Sequence, residues 1–128
     1  MMKWLARLFG LKARADWSRV DWSQLQAGWI AVGGLSNGSV SQVKEALIKA
    51  DSLLDLVMKQ AGVDGVTFAE RLKSQKETMP RSLYRSLWQA HQKRNELVHQ
   101  PTSQIQPWEK TEYLKSFQEA YSYFRGQR

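Results

Sequence analysis

Cysteine is absent from the 128 residues of this chain. That absence excludes a disulfide framework, a thiolate nucleophile and any Cys-ligated zinc or iron–sulfur centre. Histidine is scarce: only His91 and His99 occur, without an HExxH or EF-hand pattern, so the sequence offers no basis for a metal site and no cofactor is expected. The glycines Gly33, Gly34 and Gly38 lack the Lys-Ser/Thr ending of a phosphate-binding loop, which disfavours nucleotide hydrolysis. No apolar run reaches the roughly 18–20 residues that cross a bilayer. Strand-like alternation is nowhere sustained. A soluble protein of a reducing cytoplasm is the expectation.

What remains is an ordinary globular composition, 42% apolar and 24% charged, in a length that suits one hydrophobic core. The net charge of +7 is uneven. Residues 1–15 contain Lys3, Arg7, Lys12 and Arg14 and no acid, while Arg125 and Arg128 add two charges at the other end. The body between these tails is nearly neutral. Within it, however, residues 70–94 set Arg71, Lys73, Lys76, Arg81, Arg85, Lys93 and Arg94 against Glu70 and Glu77, a local excess of +5. A basic balance of this kind is expected to attract an anionic partner such as nucleic acid or a membrane surface. Residues 1–15 also interleave Trp4, Leu5, Leu8, Phe9 and Leu11 with their cations, the composition of an amphipathic extension. It either packs on its own domain or a dimer mate, or makes weak contact with a membrane surface.

Helical periodicity organises the rest. Trp22, Leu25, Trp29 and Ile30 share a face of a short helix that Asp21 is placed to cap, and the Gly- and Ser-rich stretch 33–39 reads as a loop. Val43, Leu47, Ala50, Leu54, Val57 and Ala61 define a long central helix over 40–61, stopped by Gly62. Thr67 and Glu70 form a capping-box pattern for a short helix to about Ser74. Leu83, Leu87, Trp88, Ala90, His91, Leu97 and Val98 mark a helix over 81–99, ended by Pro101. Pro107 opens a last helix to about Phe124, with Trp108, Leu114, Phe117, Tyr121 and Phe124 inward. The reading is an all-α up-and-down bundle with three principal helices and shorter pieces. Its tryptophans are expected to pack in the core or at a dimer interface rather than to stack on bases.

The residues with chemical potential lie at the end of the 81–99 helix. His91, Asn95 and His99 recur every four positions along one stripe, and Arg94 flanks it. An imidazole transfers protons near neutral pH, and a guanidinium holds a phosphate bidentately while stabilising charge that develops on it. Together they suffice for RNA cleavage by 2′-hydroxyl attack without a metal. The competing reading is a solvated helix end whose cations offset the macrodipole. Asp51 bears on the choice: with Leu47, Leu54 and Met58 it lies on the apolar seam of the central helix, where a lone carboxylate is costly. It requires a partner, Arg94 or a histidine of the 81–99 helix.

Arg94-Asn95-x-x-x-His99 at a helix end, preceded by a long helix carrying Ala50-Asp51-Ser52-Leu53-Leu54-Asp55, by Glu70-Arg71-Leu72-Lys73 and by Leu87-Trp88-Gln89-Ala90-His91, resembles the HEPN family of small helical domains, in its compact stand-alone bacterial form. The resemblance covers about residues 20–125 and leaves the extension 1–15 without a counterpart. It implies a homodimeric bundle in which two Arg-x4-His motifs face one cleft. Active members are metal-independent endoribonucleases, often of toxin–antitoxin systems, so an antitoxin or other partner protein is implied as well. Carried onto this chain, Arg94 contacts the scissile phosphate, His99 transfers protons and Asn95 supports the site. Asp51 and His91 are supporting or RNA-contacting groups. The alternative within the same family is a non-catalytic scaffold that binds RNA or a partner.

Overall fold

The computed structural model describes residues 14–128. Most of the basic amphipathic extension therefore lies outside the described residues. Among the described residues five α-helices follow a single 3₁₀ turn at Trp17–Arg19: α1 Trp22–Ser36, α2 Val40–Gln60, α3 Phe68–Ser74, α4 Arg81–His99 and α5 Pro107–Arg125. Four are long, one more than the periodicity indicated, because α1 does not stop at its paired glycines. It runs through Gly33 and Gly34 to Ser36, leaving only Asn37 and Gly38 as the turn before the Ser39 cap. Hydrogen bonds along the helix and packing of Val32 outweigh the unfavourable helix propensity of two glycines.

Local chemistry sets most boundaries. Asp21 caps α1 by accepting from the Gln24 amide at 3.1 Å. Ser39 and Gln42 form a reciprocal capping box at the start of α2. At its other end the Gly62 amide bonds Lys59 O and the Val63 amide bonds Met58 O, a Schellman closure that uses the positive φ of 77° at Gly62. Thr67 caps α3 through the Glu70 amide, but the Glu70 carboxylate reaches the Val66 amide, one residue earlier than a capping box requires.

α2 is the hub, packed against all four other helices. Its stripe Val43, Leu47, Ala50, Leu54, Val57 and Ala61 is buried throughout. α1 returns along it closely enough that a Cβ on Gly28 would stand 2.6 Å from Leu53 Cδ2. The ties Asp51 to His91 and Lys44 to Pro101 show that α2 and α4 run in opposite directions. On the α1–α5 side the packing is aromatic: Trp17 stacks on Phe124 with ring centres 4.6 Å apart, and Trp22 and Trp29 both meet Tyr121. Three apolar residues expected inside are outside. Ile30 is 100° around α1 from Trp29 and misses the buried stripe Trp22, Leu25 and Val32, and Val98 turns away in the last turn of α4. Trp108, 62% exposed, sits in the first turn of α5 ahead of the buried stripe that begins near Ser116.

Candidate active-site cleft

The antiparallel pairing of α2 with α4 brings Asp51 and His91 together across 40 residues of sequence. Asp51, 3% exposed, receives the His91 Nδ1–H on Oδ2 at 2.6 Å. The partner that a carboxylate on an apolar seam requires is therefore supplied by α4, and both candidates contribute: Arg94 Nε stands 3.6 Å from Asp51 Oδ1. The first turn of α3 completes the enclosure, with Phe68 stacked parallel on the His91 ring at 4.1 Å and Trp88 set edge-on at 6.1 Å.

The polar groups form a directional chain. Arg94 Nη1 donates to Asn95 Oδ1 at 2.9 Å, and the Asn95 amide nitrogen lies 3.4 Å from His91 Nε2. With the imidazole proton on Nδ1, the three links from Arg94 Nη1 through Asn95 and His91 to Asp51 each set a donor against an acceptor. Burial raises the Asp51 carboxyl above its ordinary value of 3.8; the bond from His91 and the nearby charges of His91 and Arg94 oppose that rise without cancelling it. The guanidinium of Arg94 is 29% exposed. Its Nε is buried without a hydrogen-bond partner among the described residues.

Beside this chain opens a cleft of ≈ 690 Å³, walled by Ser52, Asp55, Leu56 and Lys59 of α2, the α3 entrance, and Arg94 and Asn95 of α4. Four of the five residues singled out in the sequence, Asp51, His91, Arg94 and Asn95, gather here. His99 does not: it ends α4 in an exposed position outside the cleft lining. The four-residue stripe drifts about 40° per step. It therefore passes from buried His91 through half-buried Asn95 to His99 in solvent.

The local charge excess is not the surface it resembles in one dimension. Arg71 is buried and bonded to Asp55 at 3.0 Å. Lys93 is buried between Glu96 at 2.8 Å and Glu109 at 3.2 Å. Burial pulls the Lys93 ammonium down, and its bonds to the two carboxylates more than restore it, so it stays above its ordinary value. Lys76, Arg81 and Arg85 line a separate depression with Glu77 and Tyr84. Among the described residues, the Lys and Arg side chains lining the cleft are Arg94 and Lys59. Ser52, Asp55, Leu56 and Lys59 carry no catalytic motif in the sequence, yet their spacing of three, four and seven residues is that of one outward-facing α2 stripe.

Among the described residues no group of three or more His, Asp or Glu side chains is placed to hold a metal, and no helix is long and apolar enough to cross a membrane. No family model, curated protein or solved structure matches the chain.

Proposed function

We propose that the protein is an RNA-cleaving homodimer of the HEPN type. The observation that carries this reading is the Arg94 guanidinium, fixed by Asn95 and Asp51 at the wall of a cleft, with His99 presented to solvent about a turn and a half further along the same helix. In a two-fold pairing of α4 faces, the His99 of each copy completes a site with the guanidiniums. The substrate's 2′-oxygen bonds to the adjacent phosphorus as its proton passes to one His99, and the bond to the 5′-oxygen breaks as the other His99 gives that oxygen a proton. A 2′,3′-cyclic phosphate and a 5′-hydroxyl result. Arg94 stabilises the charge that builds on the phosphoryl oxygens between these events.

His99→Ala should abolish cleavage of single-stranded and structured RNA while the melting temperature stays unchanged. Intact RNA after incubation with the wild-type protein at low salt overturns the proposal, as does undiminished cleavage by His99→Ala. One observation favours a second reading, a non-catalytic scaffold for a partner protein or RNA: Arg94 is already engaged by Asn95 and Asp51 and braces α4 against α2. In that case Arg94→Ala weakens the dimer and no nuclease activity is found in any variant. Membrane contact through residues 1–15 is tested separately by liposome flotation with and without that segment.

A further inference from the structure

Resting on the reading of the cleft as a nucleotide site, we infer that it selects guanine, and that Asp55 is the residue that reads the base. The Asp55 carboxylate is 26% exposed and lines the cleft. One oxygen, Oδ1, is held by the buried Arg71 guanidinium at 3.0 Å. The other, Oδ2, has no partner among the described residues. A surface carboxylate swings between rotamers; this one is fixed from behind by a buried cation, which leaves Oδ2 and the second lone pair of Oδ1 to accept a pair of donors from the cavity.

The position relative to Arg94 suits a nucleotide. Asp51, against which Arg94 rests, and Asp55 are four residues apart on α2, about one turn or ~6 Å along the axis. On this reading a phosphate on the Arg94 guanidinium sets its sugar toward Ser52 and its base toward Asp55, with Leu56 and Phe68 as apolar residues of the lining. Lys59 stands one turn further, at the far end of the same stripe, where the next phosphate of a strand would emerge.

The choice of base follows from donor and acceptor chemistry. A carboxylate offers only acceptors. On its Watson–Crick edge guanine presents two neighbouring donors, N1–H and the N2 amino group, whereas adenine, cytosine and uracil each place an acceptor beside their donor. Paired against Asp55, the other three bases leave an acceptor facing an acceptor in a partly desolvated cleft, which is costly. The site is therefore built less to attract guanine than to reject the rest.

The test uses the full-length His99→Ala protein, so that RNA stays intact, and short single-stranded oligoribonucleotides carrying one guanosine, inosine or adenosine in a uridine background, with 5′-GMP and 5′-IMP as free nucleotides. Inosine lacks only the N2 amino group. Loss of one hydrogen bond to a charged group predicts binding about 10-fold weaker for inosine than for guanosine by fluorescence anisotropy. Asp55→Asn keeps an acceptor for Arg71 but replaces the free oxygen with a donor, and should bring guanosine and inosine within about 2-fold of each other. Equal binding of guanosine and inosine by the parent protein overturns the inference without any variant, as does discrimination that survives Asp55→Asn. Discrimination in the oligonucleotides alone assigns the site to a strand; discrimination in the mononucleotides as well assigns it to any guanine nucleotide. His99-dependent cleavage without base preference sinks this inference and leaves the nuclease proposal standing. Guanine-selective binding without cleavage does the reverse.

Discussion

The two flanks of α2 are assembled from different materials. Toward α1 and α5 the contacts are aromatic and aliphatic: Trp17 on Phe124, Trp22 and Trp29 on Tyr121, with Phe117 and Phe124 fully buried. Toward α3 and α4 the same helix buries Asp51 against His91 and Arg94 and pairs Asp55 with Arg71. The aromatic flank gains its stability from area and close packing. Burial of charge is a poor route to stability, since the desolvation of each ion offsets much of the attraction. A small domain that places two carboxylates and an arginine along one cleft, with Arg71 buried behind them, gives up apolar packing there. Leu72, Leu87 and Ala90 extend the apolar core onto the second flank as well, so the difference teaches that buried charge is added to one flank only, beside the cleft.

The largest effect that would test this division is Phe124→Ala, expected to lower unfolding free energy by about 3–5 kcal/mol in urea titration, because it removes a fully buried ring and with it the stack on Trp17. A loss below about 1 kcal/mol would mean that large aromatic side chains do not hold this flank. Under the nuclease proposal, Arg94→Ala should slow RNA cleavage about 100- to 1000-fold while costing less stability than Phe124→Ala. If its two effects rank the other way, Arg94 is a brace and the scaffold reading gains.

Asp51→Asn comes next, at about 1–3 kcal/mol near neutral pH, since it leaves the Arg94 guanidinium facing an amide inside the protein. Its pH dependence has a definite sign. The folded-state pKa of Asp51 is raised above 3.8, so the native state binds the proton more tightly than the unfolded chain. The contribution is fully present below 3.8 and is lost as pH rises through the folded value. The stability gap between wild type and Asp51→Asn should therefore widen as the pH is lowered toward 4, and a gap that narrows would show that the ion pairs rather than burial govern the group. Smallest is Trp108→Ser, expected within about 0.5 kcal/mol of wild type because the side chain is mostly in solvent. A large change there would place Trp108 in an interface.

Helix positions were readable because caps and periodicity are local: Asp21, Thr67, Pro107 and Gly62 each act within a few residues of where they stand. The glycine pair at 33 and 34 misled for the same reason, since a low helix propensity is a local cost that burial of Val32 overrides. Asp51 was legible as a carboxylate that needed a partner, because its place on an apolar seam follows from periodicity alone. That Arg94 and His91 would share it, that Phe68 would cover the imidazole, and that Arg71 and Lys93 would turn inward could not be read in one dimension.

By itself, then, the sequence determined the helices, the buried face of α2 and the polar stripe of α4, all properties set by neighbours three or four positions away. Only the tertiary structure decided which cations face the cleft and which are consumed inside, and that one Asp55 oxygen has no partner among the described residues. The reason is that a charge has no sequence range: its partner is whatever the packing of α2 against α3 and α4 brings within about 4 Å, and burial there decides whether the pair holds the fold or serves the cleft.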